Sequence, residues 1–458
     1  MATLRSAAPL AGVTAPAPPA EACEPDRRWD LLLVCVAGHI LTAVGRVHQL
    51  FPVLGALHPA IITGILAIVL YLLDQRSERR FDRLWVATTK CLLALLGWMI
   101  LSVPGALVDG NSFDLVFDNF VKTVVLFLMT AGTIRGVCDV ERLASVYLIG
   151  ATAYAAVACT EFELGPGANW RLGHLFYYDA NDLATLLVTA VPFGLFFLQA
   201  ARRTWSRVLA AGALALLMVA FVRTGSRGGF IALLAVAGYV VLRYSAIPLR
   251  RRLGATVLVA LAVAATASDQ YWQQMGTIGS DTDYNRTEES GRMQIWRRGI
   301  GYMLEHPMLG VGPGNFQAAE GMLSPIAGRQ QFGVGVRWNA PHNTFIQAGA
   351  ELGVPGLVLF VAIIASAFVA LRRSGSPERV GAGSADRQTQ LAQVLTASLI
   401  GFVAGAFFLS LAYSEMLYTL LALAIGLKKV SAPDTAAGAT RRFRYRSAFP
   451  YPGAQEAR

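Results

Sequence analysis

Three groups of residues have the types and spacing to handle an anion and a proton. The first is Arg171-Leu172-Gly173-His174, followed by Asp179-Ala180-Asn181-Asp182 at the start of an apolar run. Asn181 or Asp179 can cap a helix there. A surface arginine beside a capping turn accounts for the same residues without chemistry. The second is Arg223-Thr224-Gly225-Ser226-Arg227-Gly228-Gly229, a tight turn between two apolar runs. Glycines let a backbone approach a ligand, amides at a helix start attract anions, and guanidinium forks match phosphate oxygens. Arginines snorkelling to water are the plainer explanation, but two of them packed between glycines favour an anion site.

The third group is Pro341-His342-Asn343-Thr344, leading to Glu351-Leu352-Gly353-Val354-Pro355-Gly356. Asn343 can cap the helix that follows. A neutral imidazole can take a proton from a hydroxyl, because its ordinary pKa is ~6.5. A lone histidine is more often structural. Glu351 falls about 13 Å along the helix from His342, which suits a polar anchor better than a partner base. Other motifs are weaker. Gly310-Val311-Gly312-Pro313-Gly314 is like a phosphate loop only superficially, since no strand precedes it and Pro313 interrupts it. His39, His48 and His58 share no metal-ligand spacing. Glu415 could face the same cavity or cap a helix.

These groups must be carried by membrane helices. The 458 residues are 55% hydrophobic and only 15% charged, with a mean hydropathy of +0.49, where a soluble chain carries about a quarter charged residues. That excludes a soluble multidomain protein, a disordered chain and a transmembrane barrel, whose strands alternate. The pattern predicts an all-α polytopic membrane protein of about twelve spans, near 29–46, 53–73, 84–103, 116–134, 143–162, 181–201, 207–223, 228–243, 253–268, 343–371, 390–412 and 415–428. Residues 1–28 read as a disordered cytoplasmic tail with no cleaved signal peptide, and residues 429–458 as a basic cytoplasmic tail. Spans one to nine occupy 29–268 and spans ten to twelve 343–428. The polar stretch 269–342 between spans nine and ten reads as one large, functional outer loop.

Charge placement fixes the expected orientation. With both termini inside, the inner segments hold 27 of the 39 lysines and arginines and the outer segments ten. Such asymmetry is the signature of cytoplasmic loops. The net charge of +10 is then a topology signal, and nucleic-acid binding falls away. The three groups above land on the outer face.

In that arrangement the chain resembles the O-antigen ligase and O-antigen polymerase superfamily of bacterial envelope glycosyltransferases. Ser226-Arg227-Gly228 is similar to the family's outer Ser-Arg-Gly element. Gly291-Arg292 with Trp296, then His306-Pro307-Met308-Leu309-Gly310-Val311-Gly312-Pro313-Gly314-Asn315-Phe316, looks like its large-loop signature. His342-Asn343 with Gly353 and Gly356 resembles the ligase histidine motif, and Arg171, Gly173 and Asn181 a further upstream element. The resemblance implies a GT-C-like helical bundle in the bacterial inner membrane, with its active site facing the periplasm. It implies transfer of a glycan from undecaprenyl diphosphate to an acceptor hydroxyl, without nucleotide sugar, cofactor or required metal. Arg227 and Arg292 would hold the diphosphate, with Arg171 as a third contact and Arg223 a weaker one. His342 would deprotonate or orient the acceptor hydroxyl for inverting attack. Ser226, Gly228, Asn181 and Asn343 would support the site, and Gly353 and Gly356 would allow close helix packing beside it. Ligation to lipid A–core leads. Polymerisation of O-antigen or exopolysaccharide and protein O-oligosaccharyl transfer are the alternatives. A transporter or flippase is the competing class, although its substrate charges usually sit near the midplane.

Overall fold

The computed structural model describes residues 28–160, 171–172, 177–280, 283–332, 339–375 and 382–431. Gly173 and His174 lie outside them, as do the expected tails apart from residue 28 and residues 429–431. The principal helices are α1 (Leu31–Ala43), α2 (Pro59–Leu73), α3 (Ala87–Ser102), α4 (Asp109–Thr133, π-helical over Asp114–Phe120) and α5 (Val137–Thr160). They continue as α6 (Ala180–Ala200), α7 (Thr204–Thr224), α8 (Arg227–Arg243), α9 (Leu249–Thr266) and α10 (Asp269–Gly276). Last come α11 (Arg292–Glu305), α12 (Phe316–Met322), α13 (Thr344–Ser374), α14 (Ala382–Ala406) and α15 (Glu415–Ser431).

The chain is therefore an all-α polytopic membrane protein, but the expected twelve spans are not supported. Seven helices among the described residues are long and apolar enough to cross a membrane. An eighth is added if Leu249–Ala265 and Asp269–Gly279, which meet at 112°, form one broken span. The shortfall has a physical reason. Helices α1 and α2 have 13 and 15 residues, about 20 and 23 Å at 1.5 Å per residue, short of a hydrocarbon core of ~30 Å. Helices α8 and α15 have 17 residues each, and α15 is buried by protein from Met416 to Leu427. An apolar run cannot distinguish a lipid-facing helix from one enclosed by its neighbours. The place of the large loop between a ninth and a tenth span is likewise not supported. The described residues of the stretch 269–342 carry the short helices α10, α11 and α12.

The core is formed by α6, α14 and α15, with Leu183, Leu187, Phe193, Leu399, Phe402, Leu417 and Leu421 all fully enclosed. Around it, α2, α7 and α9 turn Ile61, Ile65, Val208, Leu209, Val257 and Leu258 outward, as lipid-facing helices do. At one end of the bundle an ion network joins three elements. Asp30 pairs with Arg79 at 2.7 Å and with Arg135 at 3.1 Å, and Arg135 pairs with Asp139 at 2.8 Å. The opposite end of α1 receives the Tyr178 hydroxyl on the Val44 carbonyl at 2.9 Å. The three sequence groups gather at that end.

Candidate active site

Caps explain why these segments start and stop where they do. Gly225 ends α7 in the left-handed region (φ 54°), where a glycine meets no steric penalty. Ser226 then begins α8 by accepting the Gly229 amide at 3.1 Å. Asp179 begins α6 by accepting the Asn181 and Asp182 amides at 2.7 and 2.8 Å. Asn343 begins α13 by accepting the Phe345 and Ile346 amides at 2.9 and 3.0 Å. Each cap satisfies amides that a helix start leaves open. Of the two cap candidates at α6, Asp179 fills the role and Asn181 is left for a different contact.

That contact joins the first two groups. Arg171 donates through Nη2 to the Asn181 side-chain oxygen at 2.8 Å and through Nε to the Thr224 carbonyl at 2.7 Å. The Leu172 amide donates to the Arg223 carbonyl at 3.0 Å. Arg223 itself donates to the Cys159 carbonyl at the end of α5, at 2.9 Å. Arg171, Asn181 and the 223–226 turn thus form one assembly.

The third group meets the second through an aromatic chain. A Cβ on Gly228 would stand 2.9 Å from that of Phe408, so only glycine permits this approach. Phe408 packs on Phe407, and Phe407 lies edge-on to Trp296 with ring centroids 5.6 Å apart. The Trp296 indole donates to the Pro341 carbonyl at 3.0 Å, directly before His342. His342 takes a left-handed conformation (φ 43°), rare for a residue with a Cβ. Its amide donates to the Ser410 hydroxyl at 3.0 Å. The Thr344 hydroxyl donates to the Leu409 carbonyl at 2.8 Å and accepts the Leu411 amide at 3.0 Å. The 407–411 turn after α14 therefore clamps the base of α13.

Electrostatics tie these groups together. Burial holds the His342 imidazole below its ordinary pKa, the charge of Arg292 pushes the same way, and the charge of Asp179 pushes back. Arg292 stands at the start of α11, and Asp179 belongs to the same helix start as Asn181. A half-buried imidazole within the field of a guanidinium can accept a proton while a cation stabilises an anion. Arg227 is held by a different part of the molecule. It donates through Nη1 to Asp283 at 2.5 Å and to the Thr277 hydroxyl at 2.7 Å. Burial works to raise the Asp283 carboxyl, but hydrogen bonds from Arg227 and Asn285 outweigh it and hold the group below its ordinary value.

At Gly353 the close approach is to a loop, and at Gly356 a Cβ would stand 2.2 Å from that of Leu352. Gly353 has φ 69° and breaks α13, eleven positions and about 16 Å beyond His342. A Cβ there would stand 2.3 Å from the Met308 carbonyl oxygen. The carbonyls and the amide freed by the break are taken up by other groups. Val311 and Gly312 donate their amides to Ala350 and Glu351 at 2.9 and 3.0 Å, Val354 donates to Pro307 at 2.8 Å, and the Trp98 indole donates to Leu352 at 3.0 Å. The buried Glu351 carboxyl accepts the Gly314 and Phe316 amides at 3.0 and 3.3 Å and the Tyr413 hydroxyl at 2.7 Å. The glycine-rich segment 310–316 is a docking loop for a broken helix.

Several residues were not legible as partners in the sequence. Asp283 and Thr277 hold Arg227, Ser410 holds His342, and Asp179 acts on His342 besides capping α6. Glu415 pairs with Arg46 at 3.1 Å, and the Arg46 guanidinium lies 3.5 Å from the Tyr177 ring centroid. All are long-range contacts with no local spacing to betray them.

Comparison with curated proteins gives no match. The segment from α7 to α13 holds Arg223, Arg227, Arg292, His342 and Gly353, while Arg171 and Asn181 precede it. Residues 212–361 match the family model described as O-antigen ligase, and this match supports the chain's place in the O-antigen ligase and polymerase superfamily.

Proposed function

We propose that the protein is a glycosyltransferase of the bacterial inner membrane, moving a glycan from undecaprenyl diphosphate to the hydroxyl of lipid A–core on the periplasmic face. His342 takes the proton of the acceptor hydroxyl. The hydroxyl oxygen bonds to the anomeric carbon as the carbon–oxygen bond to the diphosphate breaks. The electron pair leaves with undecaprenyl diphosphate, whose charge is met by Arg292 and Arg227, with Arg171 and Arg223 shaping the turn beside them. Configuration inverts, and no covalent intermediate is needed. Preorganised cations at a developing anion supply several kcal/mol in a partly dry site.

The observation that carries this reading is the half-buried His342, set at the start of its helix by Ser410 and by Trp296 of the helix that Arg292 begins, inside the segment that matches the ligase family. The test is reconstitution with an undecaprenyl diphosphate-linked glycan and competing acceptors: lipid A–core, a second lipid-linked glycan and a protein. Extension of lipid A–core is the expected result. Extension of the lipid-linked glycan alone would reassign the protein as a polymerase. No transfer by wild type would end the enzymatic reading, and full transfer by His342→Ala would end the assignment of His342 as the base.

A further inference from the structure

Helix α11 presents two faces of opposite character. Ile295, Gly299 and Tyr302 are buried against the rest of the protein. Gly299 is pressed so closely that a Cβ would stand 2.5 Å from Ile346, and Met303 meets Gly349 of the same neighbour, α13. The opposite face carries Met293, Arg297, Ile300 and Leu304, spaced four, three and four residues apart, and all are exposed. Leu304 is 67% exposed, and the next large apolar residue in line, Met308, is 61% exposed. A soluble surface helix turns such residues inward. Here the inward face is already occupied and the outward face is apolar.

What covers this stripe follows from its neighbour. Pro307 accepts the Val354 amide at 2.8 Å, which sets Met308 beside Val354. From there Val354, Val358 and Val361 run along one exposed face of α13, a helix long and apolar enough to cross a membrane. The stripe of α11 thus continues into a lipid-facing surface without a polar break between Met308 and Val354. Arg297 sits in the middle of it. A guanidinium there fits the headgroup boundary, where the stem lies on acyl chains and the charge reaches lipid phosphate. It does not fit a symmetric contact with a second copy, where like charges could face each other across the interface.

We infer that the outer face of α11 is a membrane-docking surface that rests on the headgroup–acyl boundary of the bilayer. Arg292 is the first residue of this helix, so docking fixes the height of that guanidinium relative to lipid phosphates. The inference stands on exposure and continuity alone and does not depend on the catalytic reading.

The test places the photo-cross-linker p-benzoylphenylalanine singly at Ile300, at Leu304 and, as an aqueous control, at the exposed Glu288. The full-length protein is reconstituted in nanodiscs of phosphatidylethanolamine and phosphatidylglycerol. Mass spectrometry after irradiation is expected to find phospholipid adducts at positions 300 and 304, at least tenfold above position 288. Equal adduct yields at all three positions would overturn the docking surface. Protein–protein cross-links from positions 300 and 304 would assign the stripe to another copy and overturn it as well.

Discussion

Arg227 donates to the Asp283 carboxylate at 2.5 Å, and the two side chains are only 14% and 8% exposed. The carboxylate occupies the guanidinium edge that a phosphate would use. A diphosphate reaching Arg227 must share or displace it. Asp283→Asn is therefore expected to lower the KM for the lipid-linked donor by about tenfold, or ~1.4 kcal/mol. Arg227→Ala is expected to raise it. Steady-state kinetics with varied donor check this, and a raised donor KM in Asp283→Asn would make Asp283 a support for Arg227 instead of a competitor.

The pH profile of turnover tests His342. A base must be neutral, so activity falls as pH drops through the folded-state pKa of the imidazole. Burial and Arg292 set that pKa below ~6.5, which puts the acid limb below that pH. Asp179 opposes them. Asp179→Asn keeps the α6 cap, since asparagine caps as well as aspartate, but removes the charge. The acid limb is expected to move to lower pH. A shift to higher pH would contradict the electrostatic coupling.

Trp296 positions the base without touching it. Its indole holds the Pro341 carbonyl at 3.0 Å, and Trp296→Phe removes one hydrogen bond of about 1 kcal/mol while keeping an aromatic ring against Phe407. We expect turnover to fall about fivefold with donor KM unchanged. An equal loss in both parameters would point to general loosening of the fold.

Gly353→Ala tests the helix break. The left-handed backbone and the 2.3 Å approach to Met308 leave no room for a methyl group. Destabilisation of about 1–3 kcal/mol is expected, read as a lowered Tm in detergent. Gly254→Ala, at a helical position with open space around its Cβ, is expected to leave Tm unchanged or slightly raised.

Local chemistry was legible in the sequence. The Asp179-Asn181 start of α6, the Asn343 cap and the tight turn over 223–229 all follow from residue type and near neighbours. The arginine and histidine groups were also legible as candidates, because arginine-glycine turns and a histidine before a cap stand out against apolar surroundings. The span count was not. The run at 415–428 is as apolar as a lipid-facing helix, yet α15 is enclosed by protein. The partners of Arg227 and His342 were hidden for a similar reason: Asp283 lies 56 positions from Arg227, and Ser410 lies 68 from His342. Glu351 was legible as a polar anchor, but the glycine-rich segment it holds looked like a poor phosphate loop.

The break at Gly353 also constrains the order of assembly. Amides of residues 311, 312, 314 and 316 find their acceptors on residues 350 and 351, which leave the ribosome some three dozen positions later. Until α13 has been synthesised and inserted, the docking loop has no template to close upon. The helix, in turn, carries uncapped carbonyls until the loop arrives. Docking of this loop thus waits for α13, and a nascent chain halted before residue 350 leaves the loop without its acceptors.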